Sequence, residues 1–129
     1  ENLKKRTEDE PPKSNPPMVL FVGFDNLTTI DFQGLHPEFN TLATGSAFVA
    51  GIYVGKMNPD AVIVNASIGR IEASLIAKGI HERIERHVDL IAVIEDEDRK
   101  PVDFDHYVVK GPHSIPEIAG LISASRTSN

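Results

Sequence analysis

Asn58-Pro59-Asp60-Ala61-Val62-Ile63-Val64-Asn65 compresses a stop, a turn and an apolar strand into eight residues. The proline cannot continue a preceding helix, and Ala61 to Val64 has no polar face, as expected of a parallel-sheet strand covered on both sides. Upstream of it, Gly45 turns the chain and Ser46 suits an N-cap for a helix to Met57, with Phe48 and Ile52, and Val49 and Tyr53, four residues apart. Phe39 to Thr44 reads as a short second strand, and Met18 to Phe24, interrupted by Gly23, as the first. Between them, Asn26 to Phe39 carries Ile30, Phe32 and Leu35 but also Gly34 and Pro37, which predict only a turn or two of helix. Downstream, Gly69 opens a segment where Ile76, Ile80 and Ile84 recur every four residues beside Ile71 and Leu75, predicting an amphipathic helix to about His87. Val88 to Ile94 is the fourth strand, Glu95 to Pro101 a charged loop, and Tyr107 to Val109 the core of a fifth strand. Ser114-x-x-Glu117 reads as a capping box, with Pro116 in the first turn and Ile115, Ile118, Leu121 and Ile122 as the apolar stripe of a last helix; Arg126 to Asn129 should fray.

Strands alternating with helices imply right-handed crossovers and an α/β, doubly wound five-stranded parallel sheet, for which the flavodoxin-like order 2-1-3-4-5 fits. Ligands of such sheets gather beyond the carboxyl ends of the strands. Those ends are Asp25, Asn65, Glu95 and Lys110.

The 129 residues suit one domain, and thirteen Lys+Arg against nineteen Asp+Glu leave a charge of −6, which disfavours a phosphate backbone as partner. No run of eighteen apolar residues exists to cross a bilayer, so a soluble, cytoplasmic protein is expected. The absence of cysteine removes disulfides, thiolate nucleophiles and Cys-ligated metals. The five histidines form no H-x-x-x-H pair and Ser67 and Ser74 sit in no G-x-S-x-G elbow, so neither a metal site nor serine hydrolysis is expected. Gly23-Phe24-Asp25-Asn26-Leu27 makes a poor phosphate loop, and no cofactor is implied. Gly51 and Gly55 read as tight helix–sheet packing, and Glu95-Asp96-Glu97-Asp98 as a solvated acidic loop. Residues 1–17 hold four of nine prolines, eight charges that cancel and one large apolar residue, Leu3. They read as a disordered linker before a domain over 18–125, with 126–129 a frayed tail. Because the first residue is Glu1, the sequence reads as a piece of a longer polypeptide.

Gly45-Ser46-Ala47-Phe48-Val49-Ala50 followed by Asn58-Pro59-Asp60-Ala61-Val62-Ile63-Val64-Asn65 resembles the middle of the response-regulator receiver domain, where Pro-Asp and a strand lead to the phosphorylated Asp. The thirty-residue step from Asn65 to Glu95 is similar to the family's step from that Asp to its Ser or Thr, and Tyr107-Val108-Val109-Lys110 resembles the final strand with its phosphoryl-contacting Lys. The resemblance covers about Met18 to Ala124 and implies a CheY-like fold with a shortened first helix and, since fifteen residues separate Glu95 from Lys110, a reduced or missing fourth.

Against that family's pattern, the nucleophile's position holds Asn65, the acidic pair that would hold Mg²⁺ appears as Gly23-Phe24-Asp25, the hydroxyl position looks like Glu95, and Gly111 follows Lys110 in place of Pro. The resemblance therefore implies a degenerate pseudo-receiver lacking the phospho-acceptor Asp. It would be a non-enzymatic signal-transduction module related to two-component systems, acting on a protein partner or neighbouring domains within a larger signalling or transcription-regulatory protein. With neither phosphate nor Mg²⁺, Lys110 is expected to be buried among Asp25 and Glu95 and to pair there or bond Asn65. A partner is expected on the strand-five side, with Asp96 and Glu97 as its charged rim and Tyr107, Val109, Ile115 and Ile118 as anchors where the core does not consume them. The rival readings are a flavodoxin-like small-molecule-binding or enzymatic domain, and a dimerising module.

Overall fold

The computed structural model describes residues 17–85 and 87–127. The expected linker and the last two tail residues lie outside them, apart from Pro17, whose carbonyl accepts the Asn40 amide. Five parallel strands, β1 (Met18–Val22), β2 (Asn40–Thr44), β3 (Ala61–Asn65), β4 (Asp89–Ile94) and β5 (His106–Val109), stand in the order β2-β1-β3-β4-β5. The helices are α1 (Asn26–Leu35), α2 (Ala47–Met57), α3 (Arg70–Arg83) and α4 (Ser114–Thr127), with 3₁₀ turns at Ala66–Ile68 and Glu97–Arg99. None of the described helices is long and apolar enough to cross a membrane.

The strand period of two divides the core. Val19, Phe21, Ile63, Ile91 and Val108 face one side, where Phe32 of α1 and Ile118 and Ile122 of α4 cover them. Leu20, Val22, Val62, Val64 and Leu90 face the other, under Ala50 and Val54 of α2 and Ala73, Ile76 and Ile80 of α3. The continuous apolar runs of β1 and β3 thus follow from burial on both faces.

Several expectations are corrected. The first helix has ten residues, not a turn or two. Asp25 caps it, and Phe32, fully buried between the Phe21 and Phe39 rings at centroid distances of 5.0 and 5.5 Å, anchors it; Gly34 is tolerated facing open space, and Pro37 falls after the helix has ended. β1 ends at Val22 because Gly23 turns out of the sheet with φ +84°. α3 stops at Arg83, four residues before His87, where Ile84 turns extended and packs against the core. The capping box at Ser114 does not form: its Oγ donates to the Gly111 carbonyl at 2.8 Å, and the Glu117 amide reaches the His113 carbonyl. α4 continues through Thr127, beyond the expected start of fraying at Arg126. Between β4 and β5 the described residues form the short Glu97–Arg99 3₁₀ turn, in line with the expected reduced or missing fourth helix.

Candidate functional site

The four strand-end residues come together at the carboxyl edge of the sheet, and the chain's own polar groups satisfy them. Asn65, the last residue of β3, donates through Nδ2 to the Gly23 carbonyl at 3.1 Å and accepts the Ser67 amide on Oδ1 at 3.0 Å. The Ser67 hydroxyl donates to Glu95 Oε2 at 3.1 Å, and the same oxygen lies 3.9 Å from Lys110 Nζ. A polar chain thus runs from the end of β1 through β3 and its 3₁₀ turn to the ends of β4 and β5. Ser67 is the member the sequence reading missed. Its role depends on the 3₁₀ turn that presents it to Glu95, which no nucleophile motif signals.

Asp25 stands apart from this chain. Its carboxylate accepts the Thr28 amide at 2.8 Å and the Thr28 hydroxyl at 2.7 Å, closing the N-terminus of α1. The Thr28 hydroxyl, then the Thr28 amide, hold the carboxyl below its ordinary value, with a smaller contribution from the positive charge of Lys110. The two positions between β1 and Asp25 hold no donor side chain. Phe24 turns inward against Phe21, edge to face at 5.5 Å. Gly23 is held to glycine by its positive φ and because a Cβ there would stand 2.5 Å from the Ile68 side chain.

Lys110 is not buried. It is 63% exposed and its partner is Glu95; both polar ends of the Asn65 amide are already taken. The expected anchors of the strand-five side are also partly corrected. Ile118 is buried in the core and is not free to dock, while Ile115 packs against that core and keeps part of its surface exposed. The Tyr107 hydroxyl donates to the Pro101 carbonyl at 2.6 Å and Lys100 sits over its ring at 5.1 Å, fastening the charged loop onto β5. Val109 remains exposed. Asp96 caps the 3₁₀ turn by accepting the Asp98 amide, and Glu97 pairs with Lys100 at 3.1 Å.

At the opposite, amino edge of the sheet, one ligand atom each from His87, Asp89 and Asp105 lie within 4.8 Å of one another, a grouping the histidine spacing did not reveal. Within this grouping His87 Nε2 bonds Asp89 Oδ1 at 2.7 Å, and Asp105 Oδ2 accepts the Leu90 amide at 2.8 Å, extending the β4–β5 ladder.

The strand order, with helices on both faces, defines a CheY-like, flavodoxin-type fold. The solved structures it is similar to include a CheY-like response-regulator receiver domain from Methylobacillus flagellatus, with TM-score 0.67 and 18% identity over 82% of this chain and 98% of that one. A signal receiver domain from Bermanella marisrubri gives 0.69 and 13% identity over 83% and 95%, and a response regulator from Thermotoga maritima 0.63 and 18% over 83% and 98%. At these identities the likeness is one of fold. Comparison with protein-family models and with curated proteins gives no match.

Proposed function

We propose that this domain is a pseudo-receiver, a phosphorylation-independent signal-transduction module that regulates or binds a protein partner or neighbouring domains without catalysing a reaction. The observation that carries this reading is the state of Asn65. Where a receiver needs a carboxylate nucleophile, this chain has an amide whose donor and acceptor are both committed, to Gly23 and to Ser67. A carboxylate there could not donate to the Gly23 carbonyl, so the local bonding favours the amide.

The donor set does not fit a magnesium ion. An octahedral hard-cation site takes carboxylate oxygens from more than one side chain, and the candidates are Gly23 and Phe24, which offer none, and the single acid Asp25, whose Oδ1 already accepts both the amide and the hydroxyl of Thr28. Glu95 beside this position would repel an incoming phosphoryl group, while its contacts with Ser67 and Lys110 give its charge local partners.

The test is incubation of the chain with Mg²⁺ and either acetyl phosphate or beryllofluoride, followed by intact mass and amide NMR. The expected result is no phospho-adduct and no movement of the Asn65, Ser67 and Lys110 amides. A saturable shift at those amides, or a stable adduct, overturns the reading.

A further inference from the structure

α2 and α3 lie side by side on one face of the sheet, and between their outer surfaces runs an apolar groove of about 650 Å³. Gly51, Gly55 and Gly79 form its floor, and an added Cβ at any of the three would meet nothing within 4 Å. This corrects the reading of Gly51 and Gly55 as tight helix–sheet packing: they open outward. Around this floor stand large apolar side chains that a lone domain would be expected to cover, Phe48 at 78% exposure and Leu75 at 61%, with Ile71 beside them at 70%.

The charges lining the groove indicate its occupant. Glu72 lies in the first turn of α3 and Arg83 in the last, roughly 16 Å apart at about 1.5 Å rise per residue. Both helices follow parallel strands on the same face, so they run in the same direction, with Phe48 and Glu72 at one end of the groove and Gly55 and Arg83 at the other. A surface acidic at one end and basic at the other is complementary to itself turned end for end, which is the requirement of an isologous two-fold interface. The same turn carries the projecting Phe48 of each copy to the glycine end of the other. Residues 1–16 are a poor occupant by composition, since Leu3 is their one large apolar residue.

We infer that the α2–α3 groove is a self-association surface, in which two copies of this chain pack antiparallel, Phe48 of each entering the Gly55–Gly79 hollow of the other and Glu72 of each facing Arg83 of its partner. This uses none of the strand-end residues and stands independently of the pseudo-receiver reading.

Sedimentation equilibrium of the full chain over a wide concentration range tests it, with circular dichroism confirming the fold of each variant. The wild type is expected to dimerise. Phe48→Glu should leave a monomer at concentrations where the wild type is paired, and Glu72→Arg or Arg83→Glu alone should each weaken pairing by about tenfold or more, through like charges meeting at both ends. An equimolar mixture of those two single variants should pair again, because each then supplies the charge the other needs, and the double reversal in one chain should pair with itself. A wild type that stays monomeric throughout overturns the proposal. So does a dimer indifferent to Phe48→Glu, or one lost on Val109→Glu instead, which would put the interface on β5.

Discussion

Asp25 follows β1 at the carboxyl edge of the sheet, and its chemistry is that of a helix cap. The Thr28 hydroxyl and amide stabilise its charged form, so its native pKa lies below the ordinary aspartate value of 3.8. A depressed carboxyl contributes stability that is fully present above the unfolded-state value and is lost as pH falls through the native one. Asp25→Ala is therefore expected to lower the urea midpoint at neutral pH, with the charge-dependent part of that deficit shrinking below pH 3.8 and vanishing below the lowered native value. Urea titrations of both proteins at several pH values check this. A deficit constant down to the most acid pH would mean that the carboxylate's charge plays no part in the cap. Lys110 contributes less at this scale: its pair with Glu95 is long and both groups are mostly exposed, a geometry worth about 0–1 kcal/mol.

Among the elements, the segment joining β4 to β5 departs most from what its charge pattern conveys. The sequence shows the acidic run and the missing helical periodicity, and the structure has a 3₁₀ turn there. What the pattern could not show is how the loop is tied down, because the ties come from distant residues. Ser74 on α3 accepts the Val102 amide at 2.9 Å and donates to the Arg70 carbonyl at 2.9 Å, and Tyr107 holds Pro101. Ser74→Ala should cost about 1 kcal/mol of stability and speed amide exchange at Val102, leaving exchange at Val108 unchanged. Unaltered exchange at Val102 would show that Tyr107 and Lys100 fix the loop without help from α3. The same limit on local reading explains α1. Gly34 and Pro37 are local signals and argued for a short helix, while Phe32 is held by Phe21 and Phe39 from two strand ends that only the tertiary fold brings together. β1, β3 and β4 were legible because burial on both faces leaves a continuous apolar run that no turn chemistry interrupts. Of the site, the positions of Asp25, Asn65, Glu95 and Lys110 were legible as strand ends. The exposure of Lys110 and the bridging role of Ser67 were not: the first depends on the direction in which a side chain leaves the end of β5, the second on the Ala66–Ile68 turn that presents Ser67 to Glu95.

Across the whole molecule, the proposed pseudo-receiver reading has phosphotransfer depend on groups from several strand ends at once, so on that reading one substitution does not supply it. Asn65→Asp puts a carboxylate at the end of β3. It also removes the Nδ2 donor from the Gly23 carbonyl and places a second carboxylate near Glu95, which Ser67 links to this position, so the variant should be less stable than the wild type by about 1–3 kcal/mol. Gly23 and Phe24 would still offer no oxygen to a cation, and neither tolerates an acid readily: Gly23 has φ +84° with Ile68 against it, and Phe24 packs on Phe21. Asn65→Asp is accordingly expected to stay unmodified by acetyl phosphate and to show no saturable beryllofluoride shift at millimolar Mg²⁺. Mass spectrometry and amide spectra of the variant decide it. If the single change yields a stable phospho-adduct, then Asp25 can leave Thr28 and serve a cation after all, and the domain would be one substitution away from a working receiver, with Asn65 alone holding it silent.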